Sequence, residues 1–255
     1  METTFSMFSP VQSRTMQSRM AFPEPPKPKV SLTEKYRPKS LTDLVGQGAA
    51  VLRLLDFTDA PYPSAWIFAG PTGVGKTSAA RALAYEMGIC PNWGLNHIES
   101  GDCNDERLCH ALDLLRYHCM GGSGWKLVLI DEADMMSTKA KQRCLSALES
   151  LPDQCLIIFT TNNAEKFDQR FRDRCEVVEF SGDPETLSLD AQALLDDVWR
   201  REGLPGDPFA VSSLPDLVAD GAVSFRRVVR AVEMATKGWR PSPVQQTTKS
   251  KRKFA

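Results

Sequence analysis

An α/β fold, with a parallel sheet covered by helices on both faces and a small all-helical domain after it, is what this 255-residue sequence predicts. Three observations lead there. From residue 64 to residue 180, apolar strand-like runs alternate with amphipathic helix-like segments, the order that parallel sheets with crossover helices produce. After residue 181 the strand pattern stops and only helical spacing remains. A content of 42% hydrophobic and 25% charged residues is enough to bury an ordinary core.

The elements follow in chain order. Residues 1–30 are rich in Met, Ser, Gln and Pro and carry Arg14 and Arg19, without the apolar centre of a signal peptide. Their last stretch, FPEPPKPKV, keeps the backbone extended because successive prolines deny it helix hydrogen bonds, so a disordered tail is expected before Ser31. Residues 31–181 hold the strands SAWIFAG, NHIES, KLVLIDEAD, CLIIFTTN and CEVVEF. Between them lie the helices TSAARALAYEMG, ERLCHALDLLRYHC and TKAKQRCLSALES. A helical lid is expected over 182–240, from DAQALLDDVWRRE, PFAVSSLPDLVADG and SFRRVVRAVEMATKG. Residues 241–255 turn polar, end in KSKRKFA and read as a basic disordered tail.

Bulk properties exclude several classes. A net charge of -1 supplies no global basic field, so any contact with nucleic acid must come from a local patch. The 7 cysteines are odd in number and include no CxxC pair, which argues against a zinc site and a disulfide framework and for a reducing, cytoplasmic setting. The longest apolar runs, such as LVLI at 127–130, are far short of a membrane span, so no membrane partner is expected. His97, His110 and His118 lack metal-ligand spacing and read as structural. Trp93, Trp125 and Trp239 read as core anchors, and Cys175, with no base partner, as a packed thiol.

Chemistry concentrates at the ends of the strands. GPTGVGKT at 70–77 satisfies G-x-x-x-x-G-K-[ST] between a strand and a helix, the context that confirms a P-loop. Gly70, Gly73 and Gly75 let the backbone bend around phosphates, with Pro71, Thr72, Val74 and Ser78 completing the loop and helix start whose N–H groups face the anion. Lys76 then reaches the β and γ phosphates of ATP, and Thr77 holds Mg²⁺. Asp131 and Glu132 end an apolar strand: Asp131 as the carboxylate on the Mg²⁺ side, Glu132 as the base that orients the attacking water, a pairing that favours hydrolysis over transfer. Asn162, after the next strand, is a candidate hydrogen-bond partner of the γ-phosphate or the water.

In that order GPTGVGKT, LIDEAD, TTN, DRC and SFRR resemble the Walker A, Walker B, sensor 1, arginine-finger and sensor 2 segments of an AAA+ ATPase. More narrowly, TEKYRPKSLTDLVGQ (33–47), HIESGDCND and RFRDRC resemble the clamp-loader group: replication factor C small subunits and their bacterial and phage relatives. The resemblance covers residues 31–238 and implies an ATPase dependent on ATP and Mg²⁺. It also implies an oligomer, of one or several kinds of subunit, that acts on primed or junction DNA with a sliding clamp or other loader subunits. It places Tyr36, Arg37, Pro38, Val45, Gly46 and Gln47 at the border of the adenine and the phosphate entrance. Asn162 becomes sensor 1 and Arg226 sensor 2, with Arg227 the alternative one register away. Arg174 becomes a finger aimed at a neighbour's nucleotide, with Arg170 and Arg172 as rivals; the competing reading of Arg174 is a surface ion pair with Asp173 or Asp168.

The chain also departs from the group. Only residues 241–255 follow the lid, too few for the collar domain of such subunits, so a stable pentamer is expected only if another subunit supplies the collar. The zinc module of bacterial relatives is missing. Asp173 stands where the group has serine, and a clasp of Asp173 on Arg174 is an expectation for the structure. Lys139, Lys141 and Arg143, on the helix after the Walker B strand, are the candidate DNA contacts, against the alternative of a solvated helix face. Two other functions fit the same motifs: a recombination or fork-remodelling ATPase, and a nucleotide-gated assembly factor with little turnover.

Overall fold

The computed structural model describes residues 30–99, 105–119, 121–208, 217–219 and 221–238. Both tails, GDCN at 101–104, Trp239 and most of the expected lid helix at 208–221 lie outside the described residues.

Five strands form one sheet: β1 (Ser64–Ala69), β2 (Leu95–Ile98), β3 (Lys126–Ile130), β4 (Cys155–Thr161) and β5 (Glu176–Glu179). Their spatial order is β2-β3-β4-β1-β5 and every pairing is parallel. Strands β1, β3 and β4 bury nearly every residue, as strands covered on both faces must. Period-two alternation sorts their side chains. Trp66, Phe68, Leu127, Leu129, Leu156 and Ile158 face one side, and Ile67, Val128, Ile130, Ile157 and Phe159 face the other.

On the first face lie α2 (Gly48–Asp59) and α3 (Lys76–Glu86). Small residues let α3 approach the sheet closely: Ala79, Ala80, Ala82 and Ala84 are all buried. The sequence pattern had not singled out α2, although Ala50, Leu54 and Phe57 mark its buried stripe at helical spacing. Phe57 meets Trp66 edge-on at 5.0 Å. On the second face lie α4 (Asp105–Leu114) and α5 (Thr138–Glu149), the latter begun by Ser137, whose Oγ accepts from the Ala140 amide at 3.0 Å. Phe159, Phe167 and Phe171 form an aromatic triangle there, with centroids 4.7–6.1 Å apart. Phe171 belongs to α6 (Gln169–Arg172), the single turn that leads to Arg174.

A third core joins the first turn α1 (Leu32–Lys35) to the helices α7 (Pro184–Arg201) and α8 (Phe225–Thr236). Asp183 caps α7 and Pro184 opens it, a pairing that suits a helix start. The helix expected through residue 221 is corrected at its end: β6 (Val218–Ala219) pairs antiparallel with β7 (Ala222–Val223). Gly221, at φ +78°, makes the tight return that a helix cannot contain. Among the described residues, no helix is long and apolar enough to cross a membrane.

Because Phe171 is 1% exposed and touches both other rings, Phe171→Ala is expected to cost about 3–5 kcal/mol. Urea unfolding of the purified variant measures it; a loss under about 1 kcal/mol, the scale of a surface substitution, would contradict the buried triangle.

Candidate functional site

Strand register assembles the site. Ala69 pairs with Thr161 and Ile130 with Phe159, so the residues just after β1, β3 and β4 emerge side by side at one edge of the sheet. Those residues are Gly70, Asp131 and Asn162. Open parallel sheets bind ligands at this carboxyl edge.

The loop after β1 wraps Lys76. Its Nζ donates to the carbonyl oxygens of Gly70 (2.5 Å) and Pro71 (2.8 Å) and to Asn162 Oδ1 (3.0 Å); Thr72 Oγ1 donates to the same Oδ1 at 3.3 Å. Gly75, at φ +109°, precedes α3 and turns the chain so that the helix N-terminus faces the cavity. Burial, reinforced by the Arg226 guanidinium, pushes the Lys76 ammonium from its ordinary 10.5 down to about 8, against the pull of Asp131, Asp134 and Glu132. A phosphate bound by the loop would favour the charged lysine.

Asp131 is held from three sides. Its Oδ1 accepts from Thr77 Oγ1 (2.8 Å) and Thr160 Oγ1 (2.9 Å), and its Oδ2 lies 2.7 Å from His97 Nε2. Burial works to raise this carboxyl, but the donors on His97, Thr160 and Thr77 outweigh it and hold it below the ordinary carboxylate value. Thr77 and Asp131 thus offer adjacent hard oxygens, a set that suits Mg²⁺, which takes few protein ligands and completes its shell with water and phosphate. Glu132 stands in the left-handed region at φ 49°, ψ 46°, uncommon for a residue with a side chain. Its amide donates to Thr160 Oγ1 at 3.1 Å, and it joins the cavity wall.

The cavity has a volume of about 380 Å³. Tyr36, Arg37, Pro38 and Val45 close one side; Thr72 through Ser78 form the floor; Asp131, Glu132 and Asn162 stand opposite; Arg226 reaches in from α8. Helix α8 is seated directly on the loop, its Arg226 amide donating to Gly73 O at 3.3 Å. A Cβ at Gly73 would collide with Ser224 Oγ, and its φ of +86° also demands glycine. Arg227 is turned elsewhere, to Val218 O at 3.2 Å.

Some expected site residues are not in the cavity wall. Gln47 is buried and clasps the Ser181 backbone in both directions, accepting from its amide (3.0 Å) and donating to its carbonyl (2.9 Å). Gly46 packs under Leu187 and Phe225 of the helical part, and Gly70 under the Phe180 carbonyl. Arg174 donates through Nη2 to Glu149 Oε1 at 2.9 Å and through Nη1 to Arg170 O at 2.8 Å. The expected clasp by Asp173 is therefore corrected: that carboxylate accepts from Gln169 Nε2 at 2.6 Å, and Asp168 caps α6. Arg172 bonds Gln169 instead. The three basic residues of α5 do not converge. Lys139 is exposed, Lys141 donates to Lys166 O at 3.4 Å and overlies the Phe167 ring, and Arg143 contacts Cys109 Sγ on α4.

Other expectations are corrected or located. Trp93 is 73% exposed rather than a core anchor, whereas Trp125 packs against the first core. Burial pushes the Cys175 thiol up to about 12, an unreactive group. His97 is the residue that sequence reasoning missed: it contacts Asp131. Its signal was a polar residue inside a strand next to the one that ends in Asp131.

Residues 66–183 match the AAA family model, ATPases associated with various cellular activities. Replication factor C small subunits are similar over most of the chain. That of Archaeoglobus fulgidus is 28% identical over 79% of this chain and 62% of its own length; that of Thermofilum pendens is 33% identical over 71% and 56%. The chain therefore spans about three-fifths of the length of these relatives. Among solved structures, a RuvB variant from Thermotoga maritima shares the fold at a TM-score of 0.62 and 17% identity, covering 79% of this chain and 65% of that one. A DNA polymerase III gamma subunit-related protein from Thermotoga maritima matches at a TM-score of 0.52 and 15% identity, over 72% and 57%.

The Lys76 shift has a measurable sign. Folding lowers its pKa, so between about 8 and 10.5 the unfolded chain holds a proton that the folded chain has lost, and stability rises with pH across that window. Lys76→Met lacks this contribution. Urea unfolding of ligand-free protein at the two ends of the window should show the wild type gaining on the variant as pH rises. A difference that stays constant would contradict the buried, weakened ammonium.

Proposed function

From the premise of a chain that carries an AAA domain and has replication factor C small subunits among its relatives, we propose an ATP-hydrolysing subunit of clamp-loader type. It acts on DNA, and its catalytic site is completed by a neighbouring subunit. One observation carries this reading: a single cavity gathers Lys76, Thr77, Asp131, Glu132, Asn162 and Arg226, while Arg174 sits apart on the surface.

The residues divide the work as follows. The loop amides and Lys76 bind the phosphates, and Arg37, Tyr36 and Val45 border the base. Thr77 and Asp131 are the residues that would hold Mg²⁺, which would supply charge neutralisation to the phosphates. Glu132 orients water and takes its proton; Asn162 fixes the γ-phosphate or that water. Arg226 joins the γ-phosphate to α8, so occupancy of the cavity is felt by the helical part through the contact of α8 with Gly73. A guanidinium from outside stabilises the charge that builds on the transferred phosphoryl group. Arg174 fits that role toward a neighbour. Its ion pair with Glu149 is partly exposed and contributes at most about 1 kcal/mol, so an anionic phosphate can compete for it. Lys139 and its neighbours on α5 are the proposed DNA contacts, individually rather than as one cluster.

Mixing variants tests the shared site. Lys76→Ala alone should bind no ATP, and Arg174→Ala alone should lose about a thousandfold in turnover. Mixed, they should recover activity that neither has, because one supplies the finger and the other the nucleotide. An Arg174→Ala protein as active as wild type would contradict the assignment. Stimulation by primed DNA together with a sliding clamp supports loading; stimulation by DNA alone, or negligible turnover, would overturn it.

A further inference from the structure

The Asp131 carboxylate has a partner that the ATP-site motifs do not include. His97 sits on β2 opposite Leu129 of β3, and two-residue alternation puts it on the same face as Asp131, which follows that strand. Helix α3 covers this face. Thr77 and Arg81 are one helical turn apart on it, so Thr77 reaches Asp131 while Arg81 Nη2 reaches His97 Nδ1 at 3.0 Å. A guanidinium carries donors only, so His97 Nδ1 must accept; the ring proton is then on Nε2 and points at Asp131 Oδ2, 2.7 Å away. Arg81 is itself flanked by Glu34, at 3.9 Å, which binds Arg37 at 2.7 Å. A chain of polar contacts thus runs from the wall of the cavity at Arg37, through Glu34, Arg81 and His97, to the carboxylate beside Thr77.

We propose that His97, with its tautomer set by Arg81, is the positioning residue that turns Asp131 toward Thr77 and so tunes how the site takes Mg²⁺ with ATP. This rests on the reading of Asp131 as the metal-side carboxylate. The chemistry is that of an outer-shell donor. His97 fixes Oδ2 while the hydroxyls of Thr77 and Thr160 fix Oδ1, so the carboxylate is held in the one orientation that sets it beside the Thr77 hydroxyl. Partners of this kind typically change metal affinity or activity by about 10–100-fold when removed. Glutamine can imitate the ring, because its carbonyl can accept from Arg81 and its amide can donate to Asp131; leucine can do neither.

The test compares ATP affinity with magnesium chloride and with EDTA for wild type, His97→Leu, His97→Gln and Arg81→Met, with thermal unfolding recorded for each. Expected is a loss of about 10–100-fold in ATP affinity for His97→Leu when magnesium is present, with no change in EDTA. His97→Gln should stay close to wild type, and Arg81→Met should show a smaller loss of the same kind. Equal weakening with and without magnesium, no weakening at all, or His97→Gln behaving as His97→Leu would overturn the proposal. Should His97→Leu fail to fold, the glutamine and Arg81 variants decide it by the same comparison. A wild type that binds no ATP under either condition would sink the functional reading itself, a different result from a wild type that binds normally and a His97→Leu protein that matches it.

Discussion

The rest of the site depends on one carboxylate held at the meeting point of four elements. Asp131 follows β3 and takes hydrogen bonds from Thr77 on α3, Thr160 on β4 and His97 on β2. A partly buried carboxylate is tolerable only with such donors, and each of them fixes a secondary-structure element relative to the others. The parallel register of β1, β3 and β4 makes the meeting possible, and α3 then has one orientation in which Lys76 and Thr77 both face the cavity. The opposite charge in the site, Lys76, is buried with only neutral acceptors in contact.

The helical part is coupled to this centre by close approach rather than by a long chain of charges. Ser224 and the start of α8 rest on Gly73, Gly46 admits Leu187, and Gln47 clasps the backbone at Ser181. Each contact joins a nucleotide-side residue to the segment that leads into or forms the helices. Two of the glycines have φ in the left-handed region, so these seats cannot be refilled by other residues without strain. Lys35 and Tyr36 add a second tie, both donating to Glu202 at 2.6 Å just beyond α7.

Local patterns were the legible part of the sequence. The five strands, α3, α5 and the P-loop carry their signals within a few residues of themselves, and so do Lys76, Thr77, Asp131 and Asn162, which the strand ends bring together. What escaped reading depends on tertiary neighbours. His97 looked structural because its partners, Arg81 and Asp131, are distant in sequence. The partner of Arg174 is Glu149 on another helix, not the adjacent Asp173. Gln47 looked like a residue of the nucleotide border, yet its amide matches one backbone unit at Ser181. The pairing of β6 with β7 was hidden by residues with helical spacing, with Gly221 as a local cue. Trp93, 73% exposed, followed the general habit of tryptophan instead of its place in a turn.

In the proposed function, this chain holds ATP by itself and completes catalysis with a residue from a neighbour. Arg174 is on the surface and the cavity around Lys76 already contains its own binding groups, so association should govern turnover but not binding. The most direct measurement is ATPase turnover per subunit across a wide range of protein concentration, with ATP affinity measured in parallel. Expected is turnover that rises with concentration to a plateau, and a nucleotide affinity that does not change. Turnover that is the same at every concentration, down to subunits shown to be monomeric, would contradict it.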